Sequence, residues 1–280
     1  MTAVLRLAGR SVVVLALFLA ACSGGGGGAS GPAVREQTIS DPTTQDILMF
    51  RPSGQGSWPI VMAYHGSNGT AEQMAELGRR LAATGLVVFA PDIRTDVSTE
   101  QGIVNTANDS ECAYRYARSV AAHFGGDLDR PVTFVGWSFG ANFALQGGLD
   151  EDLDPSHRYI SCFTNVPRPD VIVALDGCHY EFAGRPSTLL DREQWGNPGV
   201  HLVLAAGSDD TVCPAVQSEK MAAELRTRGY TVQYELLQGA DHFAPVFLAG
   251  GVSGTVPSPD SPAGDRTVRL ITDAIAARER

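Results

Sequence analysis

The sequence predicts an α/β domain with a mostly parallel central sheet and helices on both faces. Two patterns predict it. Short, nearly continuous apolar runs recur at 58–64, 86–90, 132–135, 170–175 and 201–205, as in strands buried on both faces. Between them lie segments with helical spacing, several closed by glycine, and strand alternating with helix argues for parallel strands joined by crossovers. A chain of 280 residues that is 44% apolar has the material for a sizeable core.

A targeting-type segment stands before the first of these runs. Arg6 and Arg10 precede Val12–Ala20, which is too short to span a bilayer comfortably as a mature helix. The run ends in Leu19-Ala20-Ala21-Cys22, followed by Ser23 and five glycines. With small residues before a cysteine, this end resembles a bacterial lipoprotein signal. The resemblance implies removal of residues 1–21 and acylation of Cys22. It also implies an exported protein, periplasmic or at the cell surface, held on a membrane by its lipid. Residues 22–33 then read as the lipid attachment and a tether, because glycine-rich chain resists ordering. Residues 34–280 read as one folded domain.

Each element of that domain has a local reason. Residues 34–40 and 46–51 alternate moderately around Asp41-Pro42-Thr43-Thr44, which predicts an opening β-hairpin. The run Trp58–Tyr64 leads into His65-Gly66-Ser67-Asn68-Gly69. Thr70 and Gln73 have capping-box spacing before Met74, Leu77 and Leu81 on one helical face, and Gly85 suits the end of that helix. After the strand Leu86–Ala90, a polar loop is expected from Asp92 to Asn108. Asp109 or Ser110 is the expected cap of a helix reaching about His123, ended by Gly125-Gly126. Residues 149–169 read as an excursion, and 180–198 as an irregular cover over the site. Strands at 170–175, 201–205 and 230–237 are expected, with a helix from near Pro214 to Gly229 before the last of them. A Gly/Pro/Ser-rich loop at 250–264 precedes a closing helix over about 265–278.

Charge and cysteines narrow the function classes. The formal net charge of −10 argues against nucleic acid as a partner, since phosphate binding needs a basic face. Beyond Cys22 there are four cysteines, Cys112, Cys162, Cys178 and Cys213. An even number in an exported chain suggests disulfides, with three pairings possible. Cys178 and Cys213 should each follow a strand at the same end of the sheet, which favours that pair slightly. No C-x-x-C or H-x-x-x-H spacing occurs, so no metal site is expected.

Residues 131–148 carry the chemistry. The apolar run Val132–Val135 meets Gly136-Trp137-Ser138-Phe139-Gly140, and a helix-compatible segment follows at once. This is G-x-S-x-G in the setting of strand, sharp turn and helix. The turn projects the Ser138 hydroxyl above the sheet, and side chains at 136 and 140 would collide with neighbouring chain. The Phe139 N–H, at a helix N-terminus, can face a developing oxyanion. A serine needs a base, and the base needs an orienting carboxylate. Such groups come from loops after strand carboxyl ends. Asp209 and Asp210 follow one later strand and His242 follows the last, giving the order Ser…Asp…His. Asp176 is a rival acid and His179 a rival base. His65, His123, His157 and His201 read as structural.

These residues resemble the α/β-hydrolase superfamily over residues 34–280. Its compact dienelactone-hydrolase-like and cutinase-like esterases are the most similar branches. That resemblance places the acid in Gly-x-x-Asp-x-x-x-Pro, matched by Gly207 to Pro214, and so selects Asp210. It places the base in the context of Gly239-Ala240-Asp241-His242-Phe243. His65-Gly66-Ser67 resembles the family's His-Gly-x turn, which makes the Ser67 N–H the second oxyanion donor. Dienelactone hydrolases proper use a cysteine nucleophile, so Ser138 argues against dienelactone itself as substrate. The implied activity is hydrolysis of small-molecule or polymeric carboxylic esters through an acyl-serine, with no cofactor. A peptidase or acyltransferase on the same residues, or a non-catalytic surface-binding lipoprotein, are the alternatives. Trp137 and Phe139 are expected to pack beneath the turn. Tyr180, Phe182 and Trp195 are candidates to line an acyl or aromatic pocket or, equally, to pack within a lid.

Overall fold

The computed structural model describes residues 32–40, 46–95, 99–150, 166–182, 185–186, 192, 195–249 and 256–280. The expectations for the signal segment, Cys22, most of the tether, His157 and Cys162 lie outside the described residues. Eight strands form one sheet. They are β1 (Val34–Ser40), β2 (Asp46–Pro52), β3 (Ile60–Tyr64), β4 (Val87–Pro91), β5 (Val132–Trp137), β6 (Val171–Leu175), β9 (His201–Gly207) and β10 (Val232–Leu237). Two short strands, β7 (Glu181–Phe182) and β8 (Arg185–Pro186), pair only with each other. The sheet order is β1-β2-β4-β3-β5-β6-β9-β10. The β1–β2 hairpin and the β2–β4 pair are antiparallel, and every other pair is parallel. This is the mixed, mostly parallel sheet of the α/β-hydrolase fold.

Alternation along each strand divides the core in two. Ile60, Met62 and Tyr64 of β3 join Phe134 of β5 on one face, with α2 (Glu100–Val120), α3 (Phe139–Leu149) and α4 (Ala215–Thr227) packed over them. Val61 and Ala63 join Val135 and Trp137 on the other face, under α1 (Ala75–Ala83) and α5 (Pro262–Arg278). All five residues of β3 are buried, as its unbroken apolar run predicts. No described helix is long and apolar enough to cross a membrane.

Two local expectations need correction. Residues 100–108, expected as loop, are the first turns of α2. Thr99 caps that helix, its Oγ1 accepting from the Gly102 N–H at 3.0 Å. Asp109 is not a cap. It lies buried within the helix and accepts from the Arg94 N–H and guanidinium, at 2.6–3.0 Å. The Thr70–Gln73 capping box does not form, since the Thr70 side chain makes no cap bond. The Gln73 N–H donates to the Thr70 backbone carbonyl at 3.0 Å instead, and the Ala71 N–H to Asp92 Oδ1 at 2.5 Å.

Candidate active site

The site begins with two glycines. A Cβ on Gly136 would stand 2.1 Å from the Gly140 carbonyl oxygen, and one on Gly140 would stand 2.2 Å from that of Tyr64. Their absence lets β5 turn sharply into α3 against the end of β3. Ser138, at the corner, has φ 57° and ψ −118°. Its N–H donates to the Leu175 carbonyl at 2.8 Å, which pins the corner to β6. Phe139 opens α3, where no preceding helical turn can accept its N–H.

Three buried side chains meet at the carboxyl ends of the strands. Ser138 Oγ lies 2.9 Å from His242 Nε2, and His242 Nδ1 lies 2.7 Å from Asp210 Oδ2. Asp210 Oδ1 accepts from the N–H groups of Val212 and Cys213, at 2.7 and 2.8 Å. Asp210 is thus held by its own loop and turned toward the histidine. Asp209, its neighbour, is exposed and accepts from the Ser208 hydroxyl. Trp137 and Phe139 are both buried, but on opposite faces of the sheet, Trp137 with the α1/α5 core and Phe139 against Phe143 of α3. Trp137 does more than fill space: its Nε1–H donates to the His242 carbonyl at 2.7 Å, with the two rings 5.2 Å apart.

The His65 turn lies against the serine. A Cβ on Gly66 would fall 3.3 Å from Ser138 Cβ and 2.8 Å from the Trp137 ring. Only glycine lets the turn carrying Ser67 come this close. His65 is fully buried and structural. Its Nδ1–H donates to the Gly66 carbonyl at 2.8 Å, and Nε2 accepts from the Ile93 N–H at 3.0 Å. Burial lowers its pKa, so the ring stays neutral and joins the ends of β3 and β4.

The rival base falls away. His179 is fully buried, and its Nδ1–H donates to Asn142 Oδ1 at 2.7 Å. Burial, helped by the nearby Arg192 charge, pushes its pKa down to about 3. His201 begins β9, away from the serine, and His123 is exposed at the far end of α2. The rival acid, Asp176, is buried beside Asp210 and His242 rather than remote from them.

The Cys178–Cys213 disulfide forms, tying the segment after β6 to the Asp210 loop. Cys112 is also disulfide-bonded, with its partner outside the described residues. Beside the first bridge opens a groove of about 480 Å³, lined in part by Tyr180, Thr211, Val212, Pro214 and Lys220. Tyr180 thus lines a groove, though not one that includes Ser138, Asp210 or His242. Trp195 instead lies against α3, its Nε1–H donating to Gln146 Oε1 at 3.3 Å. Phe182 is described only as backbone. A larger cavity, about 620 Å³, lies at the opposite, amino end of the strands among Arg118, Arg130, Arg168 and Arg278. None of the predicted site residues lines it, so it is not where this chemistry sits.

Comparison with known proteins now bears on this geometry. The sequence profile of the dienelactone hydrolase family matches residues 46–248. The chain belongs to that family. No curated protein sequence matches it. Among solved structures it is similar to a thermophilic esterase from Thermogutta terrifontis, with 17% identity, a TM-score of 0.62 and coverage of 88% of this chain and 92% of that one. An inhibited esterase B from Lactobacillus rhamnosis gives 16% identity, a TM-score of 0.70 and 88% coverage of each chain. A truncated carbohydrate esterase from gut microbiota gives 17% identity and a TM-score of 0.65, covering 88% of this chain and 99% of that one. At such identities these likenesses describe the fold. Family membership brings the hydrolase reading to the site.

Proposed function

We propose that this member of the dienelactone hydrolase family is a serine carboxylic-ester hydrolase. The observation that carries the reading is the unbroken hydrogen-bonded series Ser138 Oγ, His242, Asp210 at the carboxyl end of the sheet. His242 Nε2 takes the hydroxyl proton as Ser138 Oγ attacks the ester carbonyl carbon. Asp210 holds the Nδ1–H tautomer and stabilises the imidazolium that forms. The N–H groups of Phe139 and Ser67 receive the oxyanion, and losing one such donor typically costs about 2.7–4 kcal/mol. Imidazolium returns its proton to the departing alcohol, leaving an acyl-Ser138. Water deprotonated by His242 then releases the acid. A serine, not a cysteine, stands at the turn, which favours simple esters over dienelactone. The lipoprotein-like signal extends the proposal to an exported enzyme anchored through Cys22.

A fluorophosphonate probe tests the central claim. Wild-type protein is expected to be labelled at Ser138, and Ser138→Ala to remain unlabelled while keeping the wild-type fold by circular dichroism. Folded wild-type protein that resists labelling would overturn the enzyme reading. A panel of p-nitrophenyl esters of rising acyl length, with an anilide control, then separates esterase from peptidase.

A further inference from the structure

Asp176, just past β6, has no place in the series from Ser138 to Asp210, yet the fold holds it there at some cost. Its φ is +47°, in the left-handed region that favours glycine. Its side chain is fully buried. The backbone N–H donates to the Ala205 carbonyl at 2.9 Å, and Oδ1 accepts from the Gly207 N–H at 2.7 Å. Among the described residues Oδ2 is buried with no partner in good hydrogen-bond geometry, while the Asp210 carboxyl lies within side-chain hydrogen-bonding reach of Asp176. One carboxyl oxygen of Asp176, one of Asp210 and a ring nitrogen of His242 all lie within 4.8 Å of one another.

We propose that Asp176 is a positioning residue that keeps its proton beside Asp210, so that the two carboxyl groups carry one negative charge between them and present it to His242. If Asp210 is lost, Asp176 takes that charge and faces His242 in its place. The inference rests on the reading of Ser138, His242 and Asp210 as the catalytic set. The donors decide where the charge sits. Asp210 faces the N–H groups of Val212 and Cys213 and the ring of His242, whereas Asp176 faces the single N–H of Gly207. Two buried carboxylates this close cannot both ionise easily, so the less-donated one keeps its proton. The titratable groups that face Asp176 are Asp210, Asp241, His242 and Tyr234. Burial first, then the charge on Asp210, holds the Asp176 pKa well above the carboxylate range, and the Gly207 N–H opposes this. Oδ1 takes the Gly207 N–H, so Oδ2 is the oxygen left to carry the proton, toward Asp210.

The test compares Asp176→Asn, Asp210→Asn and the double variant in the full chain, using p-nitrophenyl butyrate across pH. Asp176→Asn replaces a neutral acid by a neutral amide. The acidic limb of its kcat/KM profile is expected to stay where the wild type has it. Asp210→Asn is expected to keep roughly ten-fold or more activity over the double variant, with its acidic limb raised because Asp176 must now ionise. A downward shift of that limb in Asp176→Asn, or equal rates for Asp210→Asn and the double variant, would overturn the inference. Carboxyl ¹³C NMR of the backbone-assigned wild type reads the proton directly. An Asp176 carboxyl that stays protonated well above the ordinary carboxylate range is expected, and one that ionises within that range overturns the proposal. If Ser138 is not a nucleophile, fluorophosphonate labelling and all rates vanish together, while the NMR arm still decides the protonation of Asp176.

Discussion

Ser138 is held in a backbone conformation that its own side chain disfavours, with φ 57° and ψ −118°. Non-glycine residues in such regions cost of order 1–3 kcal/mol, and here the surroundings impose it. Gly136 and Gly140 permit the close approach, and the Leu175 carbonyl holds the serine N–H. Stability and the proposed chemistry therefore pull in opposite directions at one residue. Ser138→Gly and Ser138→Ala both remove the hydroxyl, but only glycine also releases the strain. Chemical denaturation is expected to find Ser138→Gly more stable than Ser138→Ala by about 1–3 kcal/mol. Both should lose ester hydrolysis, by roughly 10⁴-fold or more. Equal stability of the two variants would show that the corner is not strained.

At the scale of elements, the bridge between the segment after β6 and the β9–α4 loop has two effects. It closes a loop between residues 35 apart in sequence, which the chain-entropy account makes worth about 2–4 kcal/mol. It also fixes Cys213, whose N–H donates to Asp210. Joint Cys178→Ser and Cys213→Ser substitution is expected to lower stability by about that amount and to lower kcat more than it changes KM. Thermal melts and ester kinetics read the two separately. Unchanged kcat would mean that the acid loop holds itself. This bridge was legible because both cysteines follow strands that must end at the same side. The strands, the serine turn and the order of the three polar groups were legible for a similar reason: apolar runs and glycines mark them locally. The start of α2 was not. Gly102, Asn105, Thr106 and Asn108 are weak helix formers, and the element stands on the Thr99 cap and on Arg94 gripping Asp109 from outside the helix. The expected Thr70 cap failed likewise, because the Gln73 N–H it would have taken donates to the Thr70 backbone carbonyl in a tight 3-10 turn. The sheet order was equally hidden, since it depends on which crossovers pack. Asp176 could be seen only as a competitor for Asp210, because adjacency across β6 and β9 is invisible in one dimension.

Across the whole molecule, buried titratable groups set the response to pH. Glu111 of α2 is almost fully buried, and Oε2 has no hydrogen-bond partner among the described residues. Burial pushes its pKa from 4.5 up to about 8, against the opposing charge of Arg168. The folded protein thus keeps a proton that the unfolded chain releases. This group's contribution to stability is complete below pH 4.5 and is lost as pH rises toward about 8. His179 acts in the opposite sense. Its pKa is depressed from 6.5 to about 3, so its contribution is present above pH 6.5 and lost as pH falls through that window. Glu111→Gln should therefore lose less stability than wild type between about pH 5 and pH 8, measured by thermal melts. Parallel curves would place the Glu111 proton elsewhere. The three tryptophans sample three separate regions: Trp58 at the amino end of the sheet, Trp195 against α3, and Trp137 beside His242. Indole emission is quenched by a neighbouring protonated imidazole, and the Trp137 ring stands 5.2 Å from that of His242. The residue that braces the histidine is therefore also a native optical reporter of its charge, readable without substrate or label.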